Sequence, residues 1–181
     1  NTFVAFTGAP TVLVGRDARP SSEPLVEAFV DGVRLAGADV IDLGLASTDL
    51  VYFAAGSLDA PAAMFTASHN PAQYNGIKLC RAGAAPIGQD SGLVDIRQWT
   101  ERLLDGEQVF DREPDRVGSV TGRPVVTEYA AYDSADNRPG DIGAATLLHD
   151  LFTLDPAALF GRSHHRAHRS HRGPDDLPDH G

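Results

Sequence analysis

Lysine, methionine, cysteine and tryptophan occur once each in 181 residues. The single cysteine, Cys80, rules out a disulfide framework within the chain. It lies in an apolar run, where a small buried side chain is a better reading than a nucleophile. Positive charge is scarce: 15 basic residues face 25 acidic ones, for a formal net charge of −10. That balance argues against nucleic acid or an anionic membrane as a partner. No apolar run approaches the ~20 residues of a membrane span, and no secretory leader pattern is visible. The expected compartment is the cytoplasm. The lone methionine is Met64, so the chain does not start on an initiator. What is present is a 42% hydrophobic composition, enough for one packed domain and part of a second.

Residue types are unevenly spread. All fourteen valines lie at or before Val126, and six of the seven histidines lie at or after His149. A single domain seldom changes composition so sharply. Residues 133–181 carry no periodic apolar face, so they are expected to be a disordered tail. His164, His165, His168 and His171 crowd together there, but four interleaved arginines would repel a cation. The tail is read as an out-of-frame or truncated product, a reading that translating the DNA in the other two frames would test.

Before that point the chain alternates in short units. Asn1-Thr2-Phe3-Val4-Ala5-Phe6 reads as the end of a helix, with Phe3 and Phe6 on one face and Gly8 as its stop. This implies that something precedes Asn1. Thr11-Val12-Leu13-Val14-Gly15 is a β-branched run read as a buried parallel strand. A polar loop follows, then a helix capped by Ser21 or Ser22, with Pro24 in its first turn and an apolar face of Leu25, Val26, Phe29, Val30 and Val33. Gly37 ends it. Further strands are read at residues 39–43, 62–67 and 77–81. Ser47-Thr48-Asp49 caps a short helix. Gln89-Asp90-Ser91 caps another, with Leu93, Ile96, Leu103 and Leu104 on one face, Trp99 at its edge and Gly106 as its stop. Residues 107–124 read as a linker, and residues 125–132 as the start of a helix. The order implies an α/β fold with a mainly parallel sheet flanked by helices. The domain reading is residues 1–110 for this α/β unit, 111–132 for a linker and the start of a second domain, and 133–181 for the tail. In such sheets ligands bind beyond the carboxyl ends of the strands, where the loops after residues 15, 44 and 67 should meet.

One stretch organises the rest. Met64-Phe65-Thr66-Ala67-Ser68-His69-Asn70-Pro71 runs from an apolar strand into a turn set by the Asn-Pro pair. Ser68 falls at the strand's mouth with His69 beside it, and Asn75-Gly76-Ile77-Lys78 follows at once with the only lysine. Serine, histidine and lysine at strand ends suit phosphate handling. The plainer alternative is a turn in which Ser68 and Asn70 bond only local backbone. A serine hydrolase is disfavoured, because there is no Gly-x-Ser-x-Gly elbow.

Thr66 to Pro71 followed by Asn75 to Lys78 closely resembles the phosphoserine loop of the phosphohexomutases, the phosphomannomutase and phosphoglucomutase superfamily. Gly15-Arg16-Asp17-Ala18-Arg19-Pro20-Ser21-Ser22 is similar to a second stretch of that family, Gly-x-Asp-x-Arg-x-Ser. The resemblance covers roughly residues 3 to 130. It implies the fold of the family's first domain and the interconversion of hexose 6-phosphate and hexose 1-phosphate, mannose favoured. It implies that Ser68 carries the phosphoryl group and, through it, contacts magnesium. His69 and Lys78 are the implied acid-base and charge-stabilising groups. Arg19, preferred over Arg16, is implied at the phosphate, though both arginines have the plainer alternative of a salt bridge within the loop, with Asp17 as the partner. Asn70 and Asn75 are implied at the substrate, shaping the loop together with Gly76. A hexose 1,6-bisphosphate is the implied activator. The family's metal loop, Asp-Gly-Asp-Gly-Asp, occurs nowhere in this chain, and its sugar-selecting and C-terminal phosphate-binding parts are also missing. The alternative is therefore a mutase first domain that binds sugar phosphate weakly and catalyses nothing, and the chain by itself is expected to be inactive.

Overall fold

Val12, Leu13 and Val14 have no exposed surface. A strand apolar on both faces needs cover on both sides, and this one lies in the middle of a sheet. The computed structural model describes residues 1–107 and 115–134. In chain order its elements are α1 (Thr2–Thr7), β1 (Thr11–Arg16), α2 (Ser22–Leu35), β2 (Asp39–Leu45), α3 (Thr48–Ser57), β3 (Ala62–Phe65), β4 (Ile77–Cys80), α4 (Leu93–Leu104), β5 (Val120–Gly122) and α5 (Val126–Ser134). The strands form one sheet in the order β4-β3-β1-β2-β5. All pairings are parallel except that of β3 with β4.

Helices cover both faces, as the alternating order implies. On one face α3 packs over Leu13, Leu43, Met64 and Cys80. On the other, α1, α2 and α4 pack over Val12, Val14, Val40 and Phe65, with Ile96 of α4 turned into this cluster. Phe29 meets the edge of Phe65 with centroids 5.4 Å apart, and Phe3 lies 6.1 Å from Phe29. Gly8 and Gly37 follow α1 and α2 at φ of 64° and 85°, the left-handed conformation that stops a helix at least cost in glycine. Cys80 is buried, and burial pushes its thiol up to about 12, consistent with a core side chain. Among the described residues no helix is long and apolar enough to cross a membrane.

Three local readings need correction. The segment read as a linker contains β5, which extends the sheet beside β2. Asp39, the first residue of β2, anchors it: its carboxylate accepts both Arg116 terminal nitrogens at 3.1 and 2.8 Å, and the Ser119 amide and hydroxyl at 2.7 and 2.9 Å. The bonds from Arg116, then those from Ser119, hold this carboxyl far below its ordinary value. Three exposed residues are too short for any alternation to show, so pairing arises only from these distant partners. The second correction concerns α4. Gln89, Asp90 and Ser91 form a separate 3-10 turn, and Gly92 at φ 124° divides it from the helix. The third lies on the same helix. Ile96 is buried, but Leu103 and Leu104 are exposed; α4 meets α1 through Phe6 beside Trp99 at 6.2 Å and Thr2 bonded to Thr100 at 2.8 Å, before these two leucines. At the other end of the chain, α5 lies against α3 through Phe53, 5.6 Å from Tyr129 and 5.1 Å from Tyr132. The tail beyond Ser134, expected to be disordered, lies outside the described residues.

Register decides where the loops emerge. Arg16 pairs with Leu45 on one side and with Phe65 on the other, so β1, β2 and β3 end level. Ile77 pairs with Phe65, so the antiparallel β4 begins at that same edge.

Candidate active site

The loops at this edge are tied together by polar groups. Asp17 is their hub. Its amide donates to the Phe65 carbonyl at 3.0 Å, continuing the β1–β3 ladder by one residue. Its Oδ1 accepts from the Ser22 hydroxyl at 2.6 Å and from the Arg19 amide at 3.1 Å, and its Oδ2 accepts from Arg19 Nε at 2.9 Å. The Thr66 side chain also helps to stabilise this carboxylate. Burial pushes the Asp17 carboxyl up, but the bonds from Ser22, Thr66 and Arg19 together outweigh it and hold it below its ordinary value.

Of the two readings open for Arg19, the salt bridge to Asp17 is present. The side chain runs under the loop, with its guanidinium bonded to the loop's own backbone. Its NH2 donates to the carbonyls of Ser68 and Asn70, each at 2.8 Å. Its NH1 donates to those of Pro71 at 2.8 Å and Tyr74 at 3.2 Å. With Nε on Asp17, all five guanidinium N–H groups are committed. What Arg19 still offers a phosphate on this loop is charge. Arg16, the other arginine considered, pairs with Glu23 at 3.4 Å on the surface.

Asn75 is likewise spent on structure. Its Nδ2 donates to the hydroxyls of Ser21 and Ser22, both at 2.9 Å, and its Oδ1 accepts from the Gly76 amide at 2.8 Å. This network also corrects the capping expectation for α2: Ser21 makes no cap bond, and the fully buried Ser22 turns its hydroxyl to Asp17. Asn70 contributes backbone, its amide donating to the Ala67 carbonyl at 3.0 Å.

Ser68 lies at the centre, half-buried, with φ +53°. Outside glycine that conformation is strained, and such strain clusters at functional positions. Its amide donates to Thr66 Oγ1 at 2.9 Å and its carbonyl accepts from Arg19. Among the described residues no hydrogen bond engages its Oγ, so the hydroxyl is left for chemistry. His69 is exposed on the next residue. Lys78 sits one residue into β4, across from Met64. Burial lowers its ammonium below the ordinary lysine value, while Asp49 in the first turn of α3 pulls the other way. The edge thus gathers Ser68, His69 and Lys78, as read from the sequence. Asp17 was read only as a salt-bridge partner, and its place as the hub, with Thr66 and Ser22 on it, was missed. Their signal was present in Asp17-x-Arg19 and in Thr66 two residues before Ser68, but it has meaning only once β1 and β3 are neighbours.

A metal is another matter. Among the described residues no three His, Cys, Asp or Glu side chains come together, and the carboxylate in this network, Asp17, is already saturated with donors. These residues do not fit a magnesium site.

Residues 2–102 match the family model described as phosphoglucomutase/phosphomannomutase, alpha/beta/alpha domain I. A phosphomannomutase of Klebsiella pneumoniae is 42% identical over 119 residues, covering 65% of this chain and 73% of that protein. A phosphomannomutase of Escherichia coli is 42% identical over 119 residues, but there the match covers 25% of the relative. The crystal structure of a phosphoglucomutase/phosphomannomutase family protein from Burkholderia thailandensis superposes with a TM-score of 0.60 at 32% identity, covering 75% of this chain and 30% of that one. The chain therefore spans from about a quarter to three quarters of the length of these relatives. A level strand edge, a strained serine with an unspent hydroxyl and a family match over most of the α/β unit agree: the chain belongs to the phosphoglucomutase/phosphomannomutase family.

Proposed function

We propose that the protein is a phosphohexomutase that interconverts hexose 6-phosphate and hexose 1-phosphate, with mannose preferred, through a phosphoserine at Ser68. The observation that carries this is Ser68 itself, bonded through both backbone groups and through neither lone pair of its hydroxyl. In this reading phosphoserine gives its phosphoryl group to the free hydroxyl of a hexose monophosphate. The serine P–O bond breaks as the sugar O–P bond forms, and the sugar proton passes to a base. Lys78, whose burial favours the neutral amine, suits that base, with His69 as the other candidate. The bisphosphate turns, and Ser68 Oγ takes the second phosphoryl group back. The Arg19 charge lies beside the phosphorylated loop throughout. Printed names of the relatives support mannose over glucose. Magnesium and a hexose 1,6-bisphosphate activator belong to this reading, in the cytoplasm.

The test is intact-mass analysis and peptide mapping of a longer chain, one that also carries the remaining domains of the family, after incubation with a hexose 1,6-bisphosphate. Phosphate is expected on Ser68. Phosphate only on Ser21 or Ser22 would overturn the assignment. The second reading, a domain that catalyses nothing alone, is favoured by the lack of a grouped metal-ligand set among the described residues. It is checked by assaying this chain with mannose 1-phosphate, magnesium and activator: no turnover is expected from the chain alone, and clear turnover would refute that part.

A further inference from the structure

Ser68 holds a backbone conformation that its residue type disfavours, φ +53°, and two arms keep it there. On the amide side, Ser68 N–H donates to Thr66 Oγ1 at 2.9 Å, and the Thr66 side chain in turn helps to stabilise the Asp17 carboxylate. On the carbonyl side, Arg19 NH2 reaches Ser68 O at 2.8 Å while its Nε holds Asp17 at 2.9 Å. Both arms end on one carboxylate. That carboxylate is itself pinned by the buried Ser22 hydroxyl at 2.6 Å and by the ladder bond from its amide to Phe65.

The Thr66 hydroxyl can both donate and accept. An ionised carboxylate only accepts, so Asp17 forces the Thr66 proton toward itself and turns a lone pair to the Ser68 amide. Thr66 is buried, so water cannot easily take over. With both flanking peptides oriented, the direction of the Ser68 Cβ follows, and Oγ swings from a fixed pivot. We propose that Asp17 and Thr66 are positioning residues that set the approach of Ser68 Oγ to a phosphoryl group. This deepens the phosphohexomutase reading and rests on it for the identity of the phosphoryl donor. Misplacing a reacting atom by about 1 Å can cost roughly a hundredfold in rate, so a lost pivot bond would reach the chemistry.

Thr66→Val keeps the shape and removes the hydroxyl; Thr66→Ser restores it; Asp17→Asn is the second variant. The first readout is hydrogen exchange at the Ser68 amide in the purified chain, with β1 amides as the control for folding. Exchange should speed up about tenfold or more in Thr66→Val and Asp17→Asn, with Thr66→Ser close to wild type. Unchanged protection in both variants would overturn the proposal. The second readout is the rate of Ser68 phosphorylation by glucose 1,6-bisphosphate in a longer chain that also carries the remaining domains of the family. The saturating rate should fall about tenfold in Thr66→Val and recover in Thr66→Ser, with the half-saturating concentration unchanged. A loss of affinity at an unchanged rate would overturn it. A longer wild-type chain that takes no phosphate at Ser68 would count against the mutase reading, while the exchange experiment would still decide the positioning.

Discussion

Replacing Arg19 by lysine keeps the charge and removes the planar fork, which separates the two roles an arginine could have here. The guanidinium makes five bonds: one to Asp17, two to the partly buried carbonyls of Ser68 and Asn70, and two to the exposed contacts at Pro71 and Tyr74. An ammonium has three donors and a single point of origin. Placed against Asp17, it can keep that contact and one of the partly buried carbonyls. Water replaces the bonds at Pro71 and Tyr74 at little cost. The remaining carbonyl, at Ser68 or Asn70, is left short of a donor, and a lost bond to a charged donor costs about 1.5–3 kcal/mol. The penalty falls on opening of the loop rather than on global unfolding. It therefore reads as roughly ten- to hundredfold faster amide exchange across residues 68–76, with β1 and β2 amides unchanged. Arg19→Ala should go further, because it also strips the partner from Asp17, whose side chain is only 22% exposed, and breaking a largely buried pair costs about 3–5 kcal/mol. If Arg19→Lys left loop exchange as in wild type and only weakened binding of inorganic phosphate, Arg19 would be a ligand of phosphate and the scaffold argument would be wrong.

Other outcomes follow from the same geometry. Asp17 titrates below its ordinary value of 3.8 in the folded chain, so it contributes stability that is fully present above pH ~4 and is lost as pH falls through the folded value; acid titration monitored by circular dichroism should show Asp17→Asn with a flatter profile below pH ~4. Ser68→Gly and Ser68→Ala should both block phosphorylation, but the glycine variant should be about 1 kcal/mol the more stable in urea unfolding, because it alone relieves the positive φ. Equal stabilities would mean that φ at this position carries no strain. At Gly118 a methyl would fall 1.8 Å from the Ala38 carbonyl oxygen, so Gly118→Ala must push β5 off β2; a loss of about 1–3 kcal/mol is expected by urea unfolding, and an unchanged midpoint would show that β5 adds nothing.

The sequence by itself determined the elements whose signal is local. The runs at Val12–Val14 and Met64–Phe65, apolar on both faces, specify buried strands, and Gly8 and Gly37 stop helices because only glycine takes a left-handed stop cheaply. The Thr66 to Pro71 motif placed Ser68, His69 and Lys78 at one edge before any coordinates, since residues at the ends of neighbouring strands need only the topology to meet. Tertiary structure decided the rest, because hydrogen-bonding side chains choose partners by space rather than by spacing. Arg19 has its carbonyl partners 49 to 55 positions away, so its hold on the loop's backbone could not be read from spacing. Asn75 was read as a substrate contact and stitches two serines 53 and 54 positions back. β5 exists because Arg116 and Ser119 find Asp39 about 80 positions earlier; three exposed residues have no periodicity to announce a strand. Leu103 and Leu104 show the converse: helical spacing predicted burial, but a side chain is buried only where another element reaches it, and both are exposed.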